Sequence, residues 1–129
     1  MSGRHFRVSD YLGHILQAIN RIYRYTQGIS KAEFMEDEKG QDAVIRNFEI
    51  IGEAANKILT DYPEFAAQHS DIPWEVAYGM RNRLVHGYFE INLEVVWSTA
   101  QISLPKLEYQ IQRLQGELAR RYCYPCQAL

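Results

Sequence analysis

The stretch DAVIRNFEIIGEAANKILTDY, from Asp42 to Tyr62, decides the architecture, because it reads as one long amphipathic helix. Ala43, Ile50, Ile51, Ala54, Ile58 and Leu59 fall along one apolar stripe at helical spacing. Asp42 has the side chain of an N-cap. Arg46, Glu49 and Glu53 are three and four residues apart and form a charged row on one face, which reads equally well as an ordinary ion-paired surface row or as a functional one. Gly52 costs stability in mid-helix relative to alanine, a loss that close approach of another helix would offset.

Toward the N-terminus, Ser30-Lys31-Ala32-Glu33 matches a capping box and starts a short helix, which the acidic run Glu36-Asp37-Glu38 and Gly40 are expected to close. Before it, Leu12, Ile15, Leu16, Ile19, Ile22 and Tyr23 predict a helix over Ser9 to Gln27, with Gly28 as its stop. Toward the C-terminus, Pro63 fits the first position of a brief helix. Asp71-Ile72-Pro73-Trp74 repeats that arrangement and starts a helix that ends where Gly87 follows His86. Asn92 can cap a last helix carrying Val95, Val96, Trp97, Ile102, Leu104, Leu107, Ile111 and Leu114, which Pro105 should kink or divide. Arg120-Arg121 suits the electrostatics of a helix C-terminus. No strand-like alternation, internal repeat or low-complexity linker interrupts the pattern. The expected fold is therefore all-α, a helical bundle of four or five helices over residues 1–122, followed by a C-terminal tail at 123–129.

A chain of 129 residues, 47% apolar and 23% charged, can bury one substantial core and is read as a single domain. Its formal net charge of -2 excludes a broadly basic surface, so any contact with nucleic acid has to be local. No window is apolar for long enough to span a membrane, and the polar start Met1-Ser2-Gly3-Arg4-His5 lacks the apolar core of a signal peptide, so a cytoplasmic location is expected by default. Cys123 and Cys126 frame a C-x-x-C, but one pair supplies too few ligands for zinc, and no βαβ pattern surrounds it to favour redox chemistry.

The segment with the most chemistry is Arg81-Asn82-Arg83-Leu84-Val85-His86-Gly87-Tyr88. Arginine offers a rigid fork of donors to phosphate oxygens, and histidine is the side chain that titrates nearest neutrality. Cleavage of RNA needs both functions: a base for the 2′-hydroxyl proton, and positive charge where the pentacovalent phosphorus gathers negative charge. That route requires no metal and no cofactor. Arg81 and His86 are five positions apart, however, which at about 100° per residue puts them on different faces of a regular helix. A site using both needs the helix end or a partner chain. Gly87 could provide the first by taking a left-handed conformation that stops the helix at His86. Asn82, four residues before His86, would line the same face. The residues also admit a structural reading, since a histidine at a helix C-terminus is favoured by the dipole and an arginine before an apolar pair is unexceptional. His5, His14 and His69 have no cysteine or carboxylate spacing that resembles a metal site.

Gly79 to Phe89, GMRNRLVHGYF, resembles the R-x4-6-H signature of HEPN domains in the R-x4-H-x-Y form of the HepT-like toxins. Gln41 to Ala55, Ile72-Pro73-Trp74 and Val95-Val96-Trp97 resemble the same family in the same order. The resemblance implies a HEPN-like helical bundle that forms a homodimer, with the two motifs meeting in a cleft at the subunit interface. It implies a metal-independent ribonuclease acting on RNA, with Arg81 and His86 as the catalytic pair and Asn82 the polar neighbour of the arginine. To these Arg83 is added here as a further phosphate contact. It also implies a cognate minimal nucleotidyltransferase antitoxin that transfers AMP from ATP to Tyr88 and silences the toxin. Asn92 departs from the aspartate found in many relatives and caps almost as well; the C-x-x-C tail inherits no role. Two other readings stand beside the enzyme: a noncatalytic HEPN binding partner of the nucleotidyltransferase, and a regulatory RNA-binding module, which the acidic composition disfavours.

Overall fold

The computed structural model describes residues 7–122, and the described residues are all-α, as expected. The first long helix, α1 (Val8–Thr26), is set at its start by the Arg7 amide, which donates to the Asp10 carboxylate at 2.9 Å, and at its end by Gly28 at φ 79°. The short α2 (Lys31–Met35) opens on the capping box read in the sequence: Glu33 N–H donates to Ser30 Oγ, and Ser30 N–H to Glu33 Oε1.

The central helix α3 (Glu38–Asp61) starts four residues earlier than expected. Asp37, not Asp42, is its N-cap, accepting from the Gly40 amide at 3.0 Å, and Glu38 faces the positive end of the dipole. The acidic run thus opens α3 instead of merely closing α2. Next come α4 (Pro63–Gln68), with Pro63 in its first turn, and α5 (Trp74–His86), entered through Pro73. The entry to α5 is tied down by its neighbours. Trp74 is buried and its indole N–H donates to the His69 carbonyl at 3.1 Å, while the buried Gln110 donates to the Asp71 carbonyl at 3.0 Å.

A 3-10 turn (Tyr88–Glu90) leads to α6 (Leu93–Ser98), where Asn92 Oδ1 accepts from the amides of Glu94 and Val95 as a cap should. A π-helical turn (Thr99–Ser103) then joins α6 to α7 (Leu104–Tyr122). Pro105 had marked this place as a kink or break. The stretch is indeed divided there, by the wider turn in which the Leu104 amide reaches back to Thr99. Val96, Ala100 and Leu104 line up at four-residue spacing and continue into Ile111 and Leu114, whereas Val95 and Ile102, also among the apolar residues of this stretch, lie on the other side and are 50% and 76% exposed.

The layers follow from the stripes. Leu12, Ile15, Ile19 and Ile22 of α1 meet Val44, Ile51, Ala55 and Ile58 of α3 in one core, and α3 packs α5 along another side while α7 lies along α1. Phe34 of α2 stacks on Trp97 with ring centroids 5.2 Å apart, and Lys31 pairs with Glu94 at 3.1 Å, so α2 pins α6. Between α1 and α7, the Tyr23 hydroxyl donates to the Glu108 carboxylate; burial foremost, and then that carboxylate, push its pKa up to about 12. Among the described residues no helix is long and apolar enough to cross a membrane. Cys123 and Cys126 lie outside the described residues, as does the expected tail.

Candidate functional site

Gly52 is where α3 and α5 come closest. A Cβ added there would collide with the Cβ of Arg81 and stand 2.7 Å from the Ala77 carbonyl oxygen, so the contact needs glycine for want of space. The close approach seats Arg81 directly on α3. Its Nε lies 3.3 Å from Glu53 Oε1, and its Nη1 donates to Asn82 Oδ1 at 2.9 Å. The first contact is an ion pair and the second a hydrogen bond, so most of the five N–H donors of the guanidinium keep their capacity to donate. The Arg81 side chain is 27% exposed, enough to present those donors while its stem stays packed.

Arg81 borders a cleft of about 460 Å³ between α1 and α3. Ile50, Ala54 and Val85 give it an aliphatic lining, and Tyr11 and His14 contribute from α1. Arg46, Glu49, Glu53 and Lys57 contribute charges of both signs from α3. The charged row foreseen on α3 therefore divides: Arg46 pairs with Glu49 at 3.6 Å, and Glu53 reaches across to α5.

His86 is the last residue of α5 and is exposed, but it is not among the residues lining the Arg81 cleft. The helix is regular between the two, so the five-residue separation holds them about 140° apart around the axis. Gly87 ends the helix as foreseen, though not in the left-handed form: its φ is -107°, with its amide donating to the Arg83 carbonyl at 2.9 Å. The stop comes from the change of backbone into the 3-10 turn, so the helix end does not fold His86 back toward Arg81. Arg83 is exposed and borders a different recess, with Met80, Leu84, Glu90 and Ile91. Tyr88 begins the 3-10 turn; its side chain lies outside the described part of the structure.

Reading the sequence residue by residue missed Tyr11, His14 and Lys57 as neighbours of Arg81. The available signal was faint: Tyr11, His14 and Ala18 share a face of α1 at three- and four-residue spacing, bordering the buried stripe.

A family model described as Ribonuclease HepT-like matches residues 15–114, from α1 into α7. A protein of Thermococcus cleftensis named "Probable ribonuclease HepT" is 39% identical over 106 residues, covering 82% of this chain and 94% of that one. A protein of Caldanaerobacter subterraneus subsp. tengcongensis, whose name assigns it provisionally to the RNases, is 38% identical over 104 residues, 81% of this chain and 90% of its own. A longer Methanocaldococcus jannaschii protein, named as a gamma-glutamylcyclotransferase joined to a provisional RNase, is 37% identical over 111 residues, 86% of this chain and 49% of that protein. No solved structure matches. With an all-helical bundle, an arginine set on α3 by a glycine contact, and a match that takes in both, the chain belongs to the HepT-like family of HEPN ribonucleases.

Proposed function

We propose that this protein is an endoribonuclease toxin whose active site is completed by a second copy of the chain, with Arg81 and His86 as the catalytic pair. The observation that carries the reading is the division of the motif on α5: Arg81 is held by Glu53 and Asn82 with donors to spare, while the exposed His86 stands about 140° away around the same helix. One straight helix does not bring both to one phosphate. Two copies related by a two-fold axis bring Arg81 and His86 of both chains to a common cleft.

In that cleft a neutral His86 imidazole takes the 2′-hydroxyl proton as the 2′-oxygen attacks phosphorus. The bond from phosphorus to the 5′-oxygen breaks, and the departing 5′-oxygen takes a proton from water. The products are a 2′,3′-cyclic phosphate and a 5′-hydroxyl. The Arg81 guanidinium neutralises the charge that builds on the phosphorane oxygens. Asn82 fixes the fork, and Arg83 adds a phosphate contact from the neighbouring recess. The route consumes no cofactor and needs no metal.

Control is proposed to act at Tyr88, two residues beyond His86. Its phenolic oxygen attacks the α-phosphorus of ATP bound by a cognate minimal nucleotidyltransferase antitoxin; pyrophosphate leaves and the phenol loses its proton. The AMP so attached adds bulk and negative charge beside the place where substrate phosphate binds.

RNA incubated with purified protein in excess chelator tests the enzyme: cleavage is expected to persist, and to fall by at least about 100-fold in His86→Ala. Loss of cleavage on chelation, or an active His86→Ala protein, would overturn it. Intact mass after reaction with the nucleotidyltransferase and ATP is expected to rise by AMP in the wild type and not in Tyr88→Phe. An adduct that survives that substitution moves the control point elsewhere.

A further inference from the structure

We infer that the cleft between α1 and α3 is a subsite for the single-stranded RNA that flanks the cleaved bond, with α1 supplying the surface against which a base rests; the inference builds on the ribonuclease reading above. Three cations stand along one line of the cleft. Arg46 and Lys57 are eleven residues apart on α3, roughly 16 Å along its axis, and Arg81 enters between them at Gly52. Successive phosphates of an extended strand can follow such a line, with the scissile one at Arg81. Lys57 is exposed and makes no ion pair among the described residues, so its ammonium can meet a phosphate without first giving up a partner.

Tyr11 and His14 of α1 also line the cleft, their rings edge to face with centroids 6.0 Å apart; Tyr11 is buried and backs the half-buried His14, whose ring is the one offered to a base. Ile50, Ala54 and Val85 add an aliphatic lining. A ring to stack on, an apolar lining and a line of cations are what sequence-tolerant binding of single strands uses, because every base has a face to stack and every nucleotide a phosphate. The volume of about 460 Å³ lies within the range of small-ligand sites, so the cleft can take a nucleotide. Glu49 and Glu53 interrupt the positive line; they repel phosphate at their own positions and can accept from the amino groups of a base. This concentrates attraction locally in a chain whose net charge is -2. A duplex would keep its bases away from the His14 ring, so the cleft is matched to unpaired RNA.

The test uses full-length His86→Ala protein, which keeps the cleft, and a short labelled oligoadenylate followed by anisotropy. Adding Lys57→Glu or Arg46→Glu, both at exposed positions, is expected to weaken binding about tenfold and to make the salt dependence shallower by roughly 0.7 for each phosphate no longer neutralised. Adding His14→Ala is expected to weaken binding about five- to tenfold with the salt slope unchanged. In the otherwise wild-type enzyme the same three substitutions raise KM with kcat within about twofold. Binding unaffected by both Lys57→Glu and Arg46→Glu overturns the subsite, whatever His14→Ala does to folding. The two readings separate cleanly: a wild type that binds through the cleft without cutting RNA removes the catalytic reading and keeps the subsite. Normal cleavage with all three variants behaving as wild type does the reverse.

Discussion

Glu53 and Arg81 are 28 positions apart in sequence and 3.3 Å apart in the fold. Their side chains are 47% and 27% exposed, so solvent screens the pair and its worth to stability is under about 1 kcal/mol. Its value is geometric. A carboxylate on Nε and an amide oxygen on Nη1 orient a flexible side chain and leave the outer edge of the fork for phosphate. Glu53→Ala is therefore expected to lower kcat about tenfold while changing stability by under about 1 kcal/mol, with partial recovery in Glu53→Gln, which keeps the acceptor. Steady-state kinetics beside a denaturant melt reads both quantities, and an unchanged kcat in Glu53→Ala would remove the positioning role.

At the scale of the helices, two glycines of similar appearance have opposite meanings. Gly52 is buried at the crossing of α3 and α5, where an added methyl meets Arg81 and the Ala77 carbonyl; Gly79 lies on α5 with nothing within 4 Å of an added Cβ. Gly52→Ala is expected to destabilise the protein by about 1–3 kcal/mol through overpacking, and to cost activity by displacing Arg81. Gly79→Ala is expected to add about 0.5–1 kcal/mol through helix propensity alone. Chemical denaturation of both variants checks the pair. A loss at Gly79 would mark the outer face of α5 as covered in the assembled protein. The same scale explains the exposed Val95 and Ile102: at about 100° per residue the two share a face turned away from the buried Val96, Ala100, Leu104, Ile111 and Leu114, so their apolar type alone does not bury them.

For the whole molecule, the proposed division of labour between two copies has a direct consequence. Arg81→Ala and His86→Ala proteins are each expected to be inactive, yet subunit exchange between them creates mixed dimers in which one chain keeps the arginine and the other the histidine. Cleavage should return on mixing, as read by gel assay after incubation at concentrations that permit exchange. Persistent inactivity despite demonstrated exchange counts against a shared cleft and places both groups in one chain.

Much of this protein was legible along the chain because its signals are local. Helical periodicity, the Ser30 and Asn92 caps, the Gly28 stop and the reason for Gly52 all depend on residues within a few positions, or on one missing side chain, and the structure bears them out. The motif from Arg81 to Tyr88 could be read in the same way, together with the warning that its spacing splits two groups across one helix. Tertiary packing alone decided which residues surround Arg81. Glu53 was visible as part of a surface row on α3, but its partner on α5 depended on how closely the two helices pack; His14 and Tyr11 reach the cleft only because α1 lies beside α3. Periodicity says which face of a helix is buried, and the pairing of two faces is set by the side-chain volumes at their crossing, which here come down to the hydrogen atom in place of a side chain at Gly52.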